Sequence, residues 1–183
     1  MPRQQPISLL KRSRRQDLVP YRSLISICTA PCISSTSFRD AHILDTFHAF
    51  ALNKKSGYER ESAAVGLHSL ASVIEAPAAP ILLQSLPTLY DLYMDKGEVV
   101  RNASAEAVKA ILKLFPPEST GMVYRTLEGV VEKGKWKAKV GALDGLKLFV
   151  KTARENVANE LGITLPKVEL ALHDTKQEVR YIH

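Results

Sequence analysis

"LPTLYDLYMDKGEVVR", residues 86–101, can be laid over "LPKVELALHDTKQEVR", residues 165–180, at an offset of 79. The overlay matches Leu86 with Leu165, Pro87 with Pro166, Asp95 with Asp174, Val100 with Val179 and Arg101 with Arg180, and it sets Glu98 on Gln177. Between the two copies, "EKGKWKAK" brings Lys139 into the arginine's place, 38 residues after Arg101 and 41 before Arg180. Upstream, "NKKSGYER" puts Arg60 a further 41 residues before Arg101. A recurrence at about 40 residues is the mark of a stacked repeat, because one such unit cannot bury its apolar face without neighbours.

The flanking texture says what the unit is made of. In "ASAEAVKAILKLF", Ala103, Ala107, Ala110, Ile111 and Leu114 fall three and four apart on one helical face, with Glu106, Lys109 and Lys113 on the other. The same period predicts helices in "ESAAVGLHSLASVI" (61–74), "ILLQSLPTLYDLYM" (81–94), "GMVYRTLEGVVE" (121–132), "KVGALDGLKLFVKTA" (139–153) and "LPKVELALHD" (165–174). Gly57, Gly97, Gly134, Pro77, Pro80, Pro116 and Pro117 punctuate them. No segment alternates with period two, so no strand is expected.

In such a helical pair, Asp95 and Asp174 stand at the turn and can accept from the orphan N–H groups that open the second helix. They can also meet the Arg or Lys of the same or the next unit. The repeat-ladder set is Arg60, Asp95, Arg101, Lys139, Asp174 and Arg180. Proline in the first helix is expected to bend it, and the small residues Ala63, Ala64, Ala103, Ala105, Gly141 and Ala142 to let second helices approach closely. Asp95 and Arg101 therefore read as architecture and not as half of a reaction centre.

Composition bounds the rest. The 183 residues are 45% hydrophobic, enough for a core. No apolar run nears the roughly 18 residues that cross a bilayer. The formal +6 is unevenly distributed: residues 1–38 carry six cations against Asp17, a net +5, leaving 39–183 with +1. The basic balance belongs to that leader and does not argue that the helical part binds nucleic acid. Rich in Arg, Ser and Pro, the leader reads as a disordered extension; a mitochondrial transit peptide and read-through from a misplaced start stand beside that reading. Cys28 and Cys32, with no second pair, make neither a zinc site nor a disulfide framework, and fit a reducing compartment.

A helical-pair unit of about 40 residues, with proline in its first helix, aspartate at the turn and Val-Arg or Val-Lys opening its second, resembles a HEAT repeat. The likeness narrows further. "SGYERESAAVGL", "LYMDKGEVVRNASAEAVKAILKLFPPE", "RTLEGVVEKGKWKAKVGALDGLK" and "LPKVELALHDTKQEV" resemble the N-terminal HEAT region of fungal translation elongation factor 3, over roughly residues 50–180. The most specific pieces are the helix start at Lys135–Lys139 and the turn "HDTKQEV" at 173–179. That resemblance implies binding across both ribosomal subunits through ribosomal RNA and proteins, and ATP-driven release of deacylated tRNA from the exit site. The two ATP-binding cassettes of the family have no counterpart here, residues 1–38 have no place in it, and "RYIH" stops within the second helix of a unit. The chain is thus expected to be a non-enzymatic fragment, truncated at its C-terminal end, with Leu170 and Val179 left exposed there. A related HEAT scaffold, the ribosome-bound activator of the starvation-response kinase, shares the Lys-Trp helix start.

Other chemistry finds little support. "GVVEKGKW" (129–136) fits G-x-x-x-x-G-K but places Trp136 where a hydroxyl must hold magnesium, and Gly129 falls inside a helical period where a strand is required. His42, His48, His68 and His173 form no ligand pair, and no Ser-His-Asp spacing can be proposed. No catalytic, cofactor or metal residue is expected. Trp136, followed by Val140, Leu143, Leu146, Phe149 and Val150, reads as packing between repeats. A binding reading attaches to Lys133, Lys135, Lys137 and Lys139 around one turn, and to Lys147, Lys151 and Arg154 on one face of the same helix, facing RNA phosphates or merely solvent, with Glu128, Glu132 and Asp144 diluting the field.

The expectation is an all-α, HEAT/ARM-type solenoid of three to four antiparallel helix pairs over 39–183, after a disordered 1–38. Its expected role is a cytoplasmic ribosome-binding module in translation elongation, with no DNA, membrane or small-molecule partner. The alternative is a generic HEAT/ARM scaffold for protein–protein interaction, the ribosome-associated kinase-activator type included.

Overall fold

The computed structural model describes residues 42–74, 78–152 and 154–181, with the side chains of 149 and 152 left out. Residues 1–38, with Cys28 and Cys32, lie outside that range, as do Pro77 and the side chain of Phe149. The helices are α1 (Ile43–Leu52), α2 (Gly57–Val73), α3 (Pro80–Leu83), α4 (Leu86–Asp91), α5 (Glu98–Leu112), α6 (Thr120–Lys133), α7 (Trp136–Thr152), α8 (Arg154–Leu172) and α9 (Gln177–Arg180). Short 3₁₀ turns at Leu92–Met94 and Pro117–Ser119 extend α4 and lead into α6. No strand occurs among the described residues.

The helices act in pairs: α1 with α2, α3–α4 with α5, α6 with α7, and α8 with α9. The second helices α2 and α5 pack along each other, and the first helices follow suit, α4 against α6 and α6 against α8. The α7 helix is wedged on both α6 and α4. This stacking follows from the sequence period. The α2 helix starts on a cap in which Ser56 Oγ accepts from the Glu59 N–H at 3.2 Å, and it buries Ala63, Ala64, Leu67, Leu70 and Ala71 on one stripe. Alanines on that stripe set the backbones close. Leu67, Leu86, Leu89, Tyr90, Ile111, Tyr124 and Leu127 are fully buried between the layers, each aliphatic one contributing about 2 kcal/mol of apolar burial.

Three features depart from the periodicity. The first helix of the second pair is not one bent rod: it breaks at Gln84–Ser85 and restarts with Pro87 in its first turn, where a missing N–H costs nothing. Pro166, its counterpart, sits inside a continuous α8. That helix also begins at Arg154, well upstream of Leu165, because its buried stripe of Val157, Thr164 and Ala171 is a single residue every seven, too narrow to register as an apolar face. At the chain's last helical pair, Leu170 is 69% exposed, as expected, but Val179 is 2% exposed. It sits with Leu143 and Leu146 in the lining of a groove between α7 and α8, so the expected exposure holds at Leu170 and fails at Val179.

Candidate functional site

The turns between first and second helices form one edge of the array, and this edge carries its charged chemistry. Arg60, one turn into α2, reaches across to Asp95 after the second pair's first helix, with Nε–Oδ2 2.5 Å and Nη2–Oδ1 3.3 Å. Its other branch donates to the Asn53 carbonyl at 2.7 Å. Asp95 Oδ1 also accepts from the Gly97 N–H at 2.8 Å. The same device recurs one full two-pair step later: Lys139 Nζ meets Asp174 Oδ2 at 2.8 Å, and Asp174 Oδ1 accepts from the Lys176 N–H at 2.9 Å. Both rungs join the second helix of one pair to the turn of the next. Burial pushes the Asp95 carboxyl up, but the bonds from Arg60 and Gly97 outweigh it and hold the group below the usual carboxylate range. The Lys139 and Lys176 bonds hold Asp174 low as well.

Among the described residues, the rung between the second and third pairs is absent. Arg101 stands where Arg60 and Lys139 stand, but the aspartate's place in the third pair is taken by Lys133, three residues before the helix start at Trp136. Arg101 instead donates to carbonyls of its own turn, Asp95 O at 2.7 Å and Lys96 O at 3.0 Å. Among the described residues it meets no carboxylate within ion-pair distance. A cavity of about 350 Å³ opens at this joint, lined by Tyr93, Arg101, Trp136, Lys137, Gly141 and Asp144 among others. Gly141 is required there: a Cβ would stand 2.5 Å from the Tyr93 ring. Trp136 is part of this cavity wall and only half-buried, with Lys137 Nζ 5.3 Å from its ring centroid. Burial and then the Asp144 charge push the Tyr93 phenol up to about 12.

The lysines read from the sequence do not share one surface. Lys139 is engaged in the rung to Asp174, Lys137 lines the joint cavity, and Lys147 lines a separate apolar groove of about 340 Å³ with Val157, Leu161 and Val168. Lys133, Lys135, Lys151 and Arg154 are exposed. Arg180, last of the ladder positions, lies over the Tyr181 ring at 5.7 Å, and its buried Nε has no hydrogen-bond partner among the described residues.

Glu128 is a correction to the sequence reading. It does not dilute a surface field: it is 2% exposed, and it accepts from Thr164 Oγ1 at 2.6 Å and from Lys167 Nζ at 3.0 Å, tying α6 to α8. The signal available in the sequence was the 39-residue spacing of Glu128 and Lys167, one repeat period. Gly129 lies within α6 with no strand before it among the described residues, so the phosphate-loop likeness has no structural footing. His48 bonds Ser85 at 2.9 Å, and no cluster of metal-ligating side chains is found among the described residues.

Antiparallel helix pairs stacked at a period of about 40 residues, tied at their turns by cation–aspartate rungs, define a HEAT-type α-solenoid. Residues 26–181 match the family model "EF3 N-terminal HEAT repeat", and the chain belongs to that family; the match takes in residues 26–38, which the sequence reading leaves outside it. It is similar to the mRNA export factor elf1 of Schizosaccharomyces pombe, 32% identical over 139 residues that make up 74% of this chain and 13% of that protein. It is similar to elongation factor 3 of Gonapodya prolifera, 29% identical over 130 residues, 70% of this chain and 12% of that one. To the human stalled ribosome sensor GCN1 it is 23% identical over 128 residues, 70% of this chain and 5% of that one. The chain thus spans a small part of each of these proteins. Among solved structures, the crystal structure of an engineered protein shares the fold, with a TM-score of 0.50, 17% identity and coverage of 94% of this chain and 74% of that one. A HEAT repeat domain is a helical module and not itself catalytic, and no described helix is long and apolar enough to cross a membrane.

Proposed function

We propose that the chain is a ribosome-binding HEAT module of an elongation-factor-3-like protein, acting in translation elongation in the cytoplasm without hydrolysing ATP itself. Family membership carries the reading, with relatives named for an elongation factor and for sensing stalled ribosomes. Lys133, Lys135, Lys137, Lys147, Lys151 and Arg154 are the side chains offered to ribosomal RNA, whose phosphates take lysine as a point charge without reading sequence. Lys139 leaves the contact set, because moving it to a phosphate would strip Asp174 of its partner. The relative named as an mRNA export factor favours a second reading, in which the same side chains meet a messenger ribonucleoprotein.

Co-sedimentation of the purified chain with ribosomes at low and moderate salt tests the first reading. Association at low salt that weakens as salt rises is expected, and Lys135→Glu, Lys137→Glu, Lys147→Glu and Lys151→Glu together should weaken it further. The basic segment 1–38 cannot account for that difference. No association at low salt, or association indifferent to the four substitutions, overturns the proposal in favour of a protein-binding scaffold.

A further inference from the structure

The missing rung is informative because the molecule shows, at its two other joints, what this position binds. At both, a cation one turn into a second helix takes a carboxylate delivered by a chain turn next door: Arg60 takes Asp95, and Lys139 takes Asp174. At the joint between the second and third pairs the cation is kept, as Arg101, and Lys133 replaces the acid. The space left is a cavity of about 350 Å³ in which Lys137 adds a second cation and Tyr93 and Trp136 add aromatic wall. Two other acids act on its lining: Asp95, beside Arg101, is already taken by Arg60 and the Gly97 N–H, and Glu106, whose charge reaches Tyr93, is paired with Lys109. Asp144 lies in the cavity wall and is exposed. Its charge repels any anion in the cavity, and a phosphate chain carries several such charges where a side-chain carboxylate carries one.

We propose that this joint is a receptor for an acidic side chain of a protein partner, an Asp or Glu with an apolar neighbour, bound in trans where the other joints bind one in cis. The carboxylate pairs with Arg101 and Lys137, as charge-assisted hydrogen bonds do at the two filled rungs. The neighbouring apolar side chain rests on Tyr93 and Trp136. This site goes beyond the ribosomal reading, because its partner is a peptide segment. Lys137 is the one side chain the two readings share, and it takes either the acidic side chain or an RNA phosphate, so the peptide titration is read without ribosomes.

The single tryptophan, Trp136, lies in the cavity wall and reports on it. The full chain is titrated with the blocked tripeptide acetyl-Leu-Asp-Phe-amide, with its Asn counterpart, and with a uridine hexanucleotide, following tryptophan emission. A saturable change with the Asp peptide is expected, weakened about tenfold for the Asn peptide and to a like extent by Lys137→Gln or Arg101→Gln, the loss of one charge-assisted bond. Asp144→Asn should tighten binding severalfold, a gain that non-specific attraction to the basic segment 1–38 would not produce. Arg101→Gln also forfeits two turn hydrogen bonds, so Lys137→Gln and Asp144→Asn keep the test open if that variant fails to fold. An equal response to the Asn peptide, no saturable response, or a stronger response to the hexanucleotide than to the acidic peptide overturns the proposal.

Discussion

Replacing Asp95 with asparagine removes one charge and little else. The side-chain amide keeps an oxygen for the Gly97 N–H, so the turn stays capped, while the two-pronged pair with Arg60 is lost. The side chains of Arg60 and Asp95 are 16% and 7% exposed, between a surface pair and a fully buried one. Exposed pairs contribute up to about 1 kcal/mol and breaking buried ones costs about 3–5. Arg60 keeps its bond to the Asn53 carbonyl and some solvent, which sets the expected loss near 2 kcal/mol, or about 6 °C in Tm for a domain of this size. Because the Asp95 carboxyl is held below its unfolded value near 4, the pair's contribution is fully present above about pH 4 and is lost as pH falls through the folded value. Urea unfolding of wild type, Asp95→Asn, Arg60→Met and the double variant, followed by circular dichroism at pH 7, 5 and 3, measures both. A loss under about 0.5 kcal/mol at pH 7, or a gap that does not narrow toward pH 3, would refute the rung as a structural tie.

Asp174→Asn should cost less, about 1 kcal/mol, since Lys139 is a single-pronged and more exposed partner; a loss equal to that of Asp95→Asn would show that two-pronged geometry is not the reason. Tyr90→Phe should raise Tm slightly, by about 1 kcal/mol of recovered desolvation, because the buried Tyr90 hydroxyl has no partner among the described residues; a lower Tm would mean a partner was lost. Gly141→Ala should destabilise by about 1–3 kcal/mol through overpacking on the Tyr93 ring, and Tyr93→Ala in the same chain should recover part of that loss in thermal unfolding.

The fold was legible because the repeat states it twice: the Asp95 and Arg101 spacing recurs at Asp174 and Arg180, and each aspartate accepts from the N–H two residues on in its turn. The overlay points each aspartate to the cation of its own or the next unit, and the structure corrects this. Asp95 takes Arg60 and Asp174 takes Lys139, in each case the cation of the preceding unit, because the stacking brings that second helix against the turn. What escaped was set by tertiary packing. The upstream half of α8 buries one residue in seven and mimics a polar loop. Glu128, a carboxylate among polar neighbours in sequence, lies buried because a helix one period later brings Thr164 and Lys167 to it. The basic residues of α7 look like one face when counted, but the helix is packed on two sides, so Lys137, Lys139 and Lys147 serve three different surroundings.

The central claim is that this helical array meets ribosomal RNA through lysines, and the salt dependence of its ribosome association tests that most directly. Association constants are measured from about 50 to 200 mM salt for wild type and for the combined variant Lys135→Gln, Lys137→Gln, Lys147→Gln and Lys151→Gln. Each phosphate contact contributes roughly 0.7–0.9 to the slope of log K against log salt, so the variant's slope should be shallower by about 3. A slope unchanged by the four substitutions, or wild-type association indifferent to salt, would contradict the account.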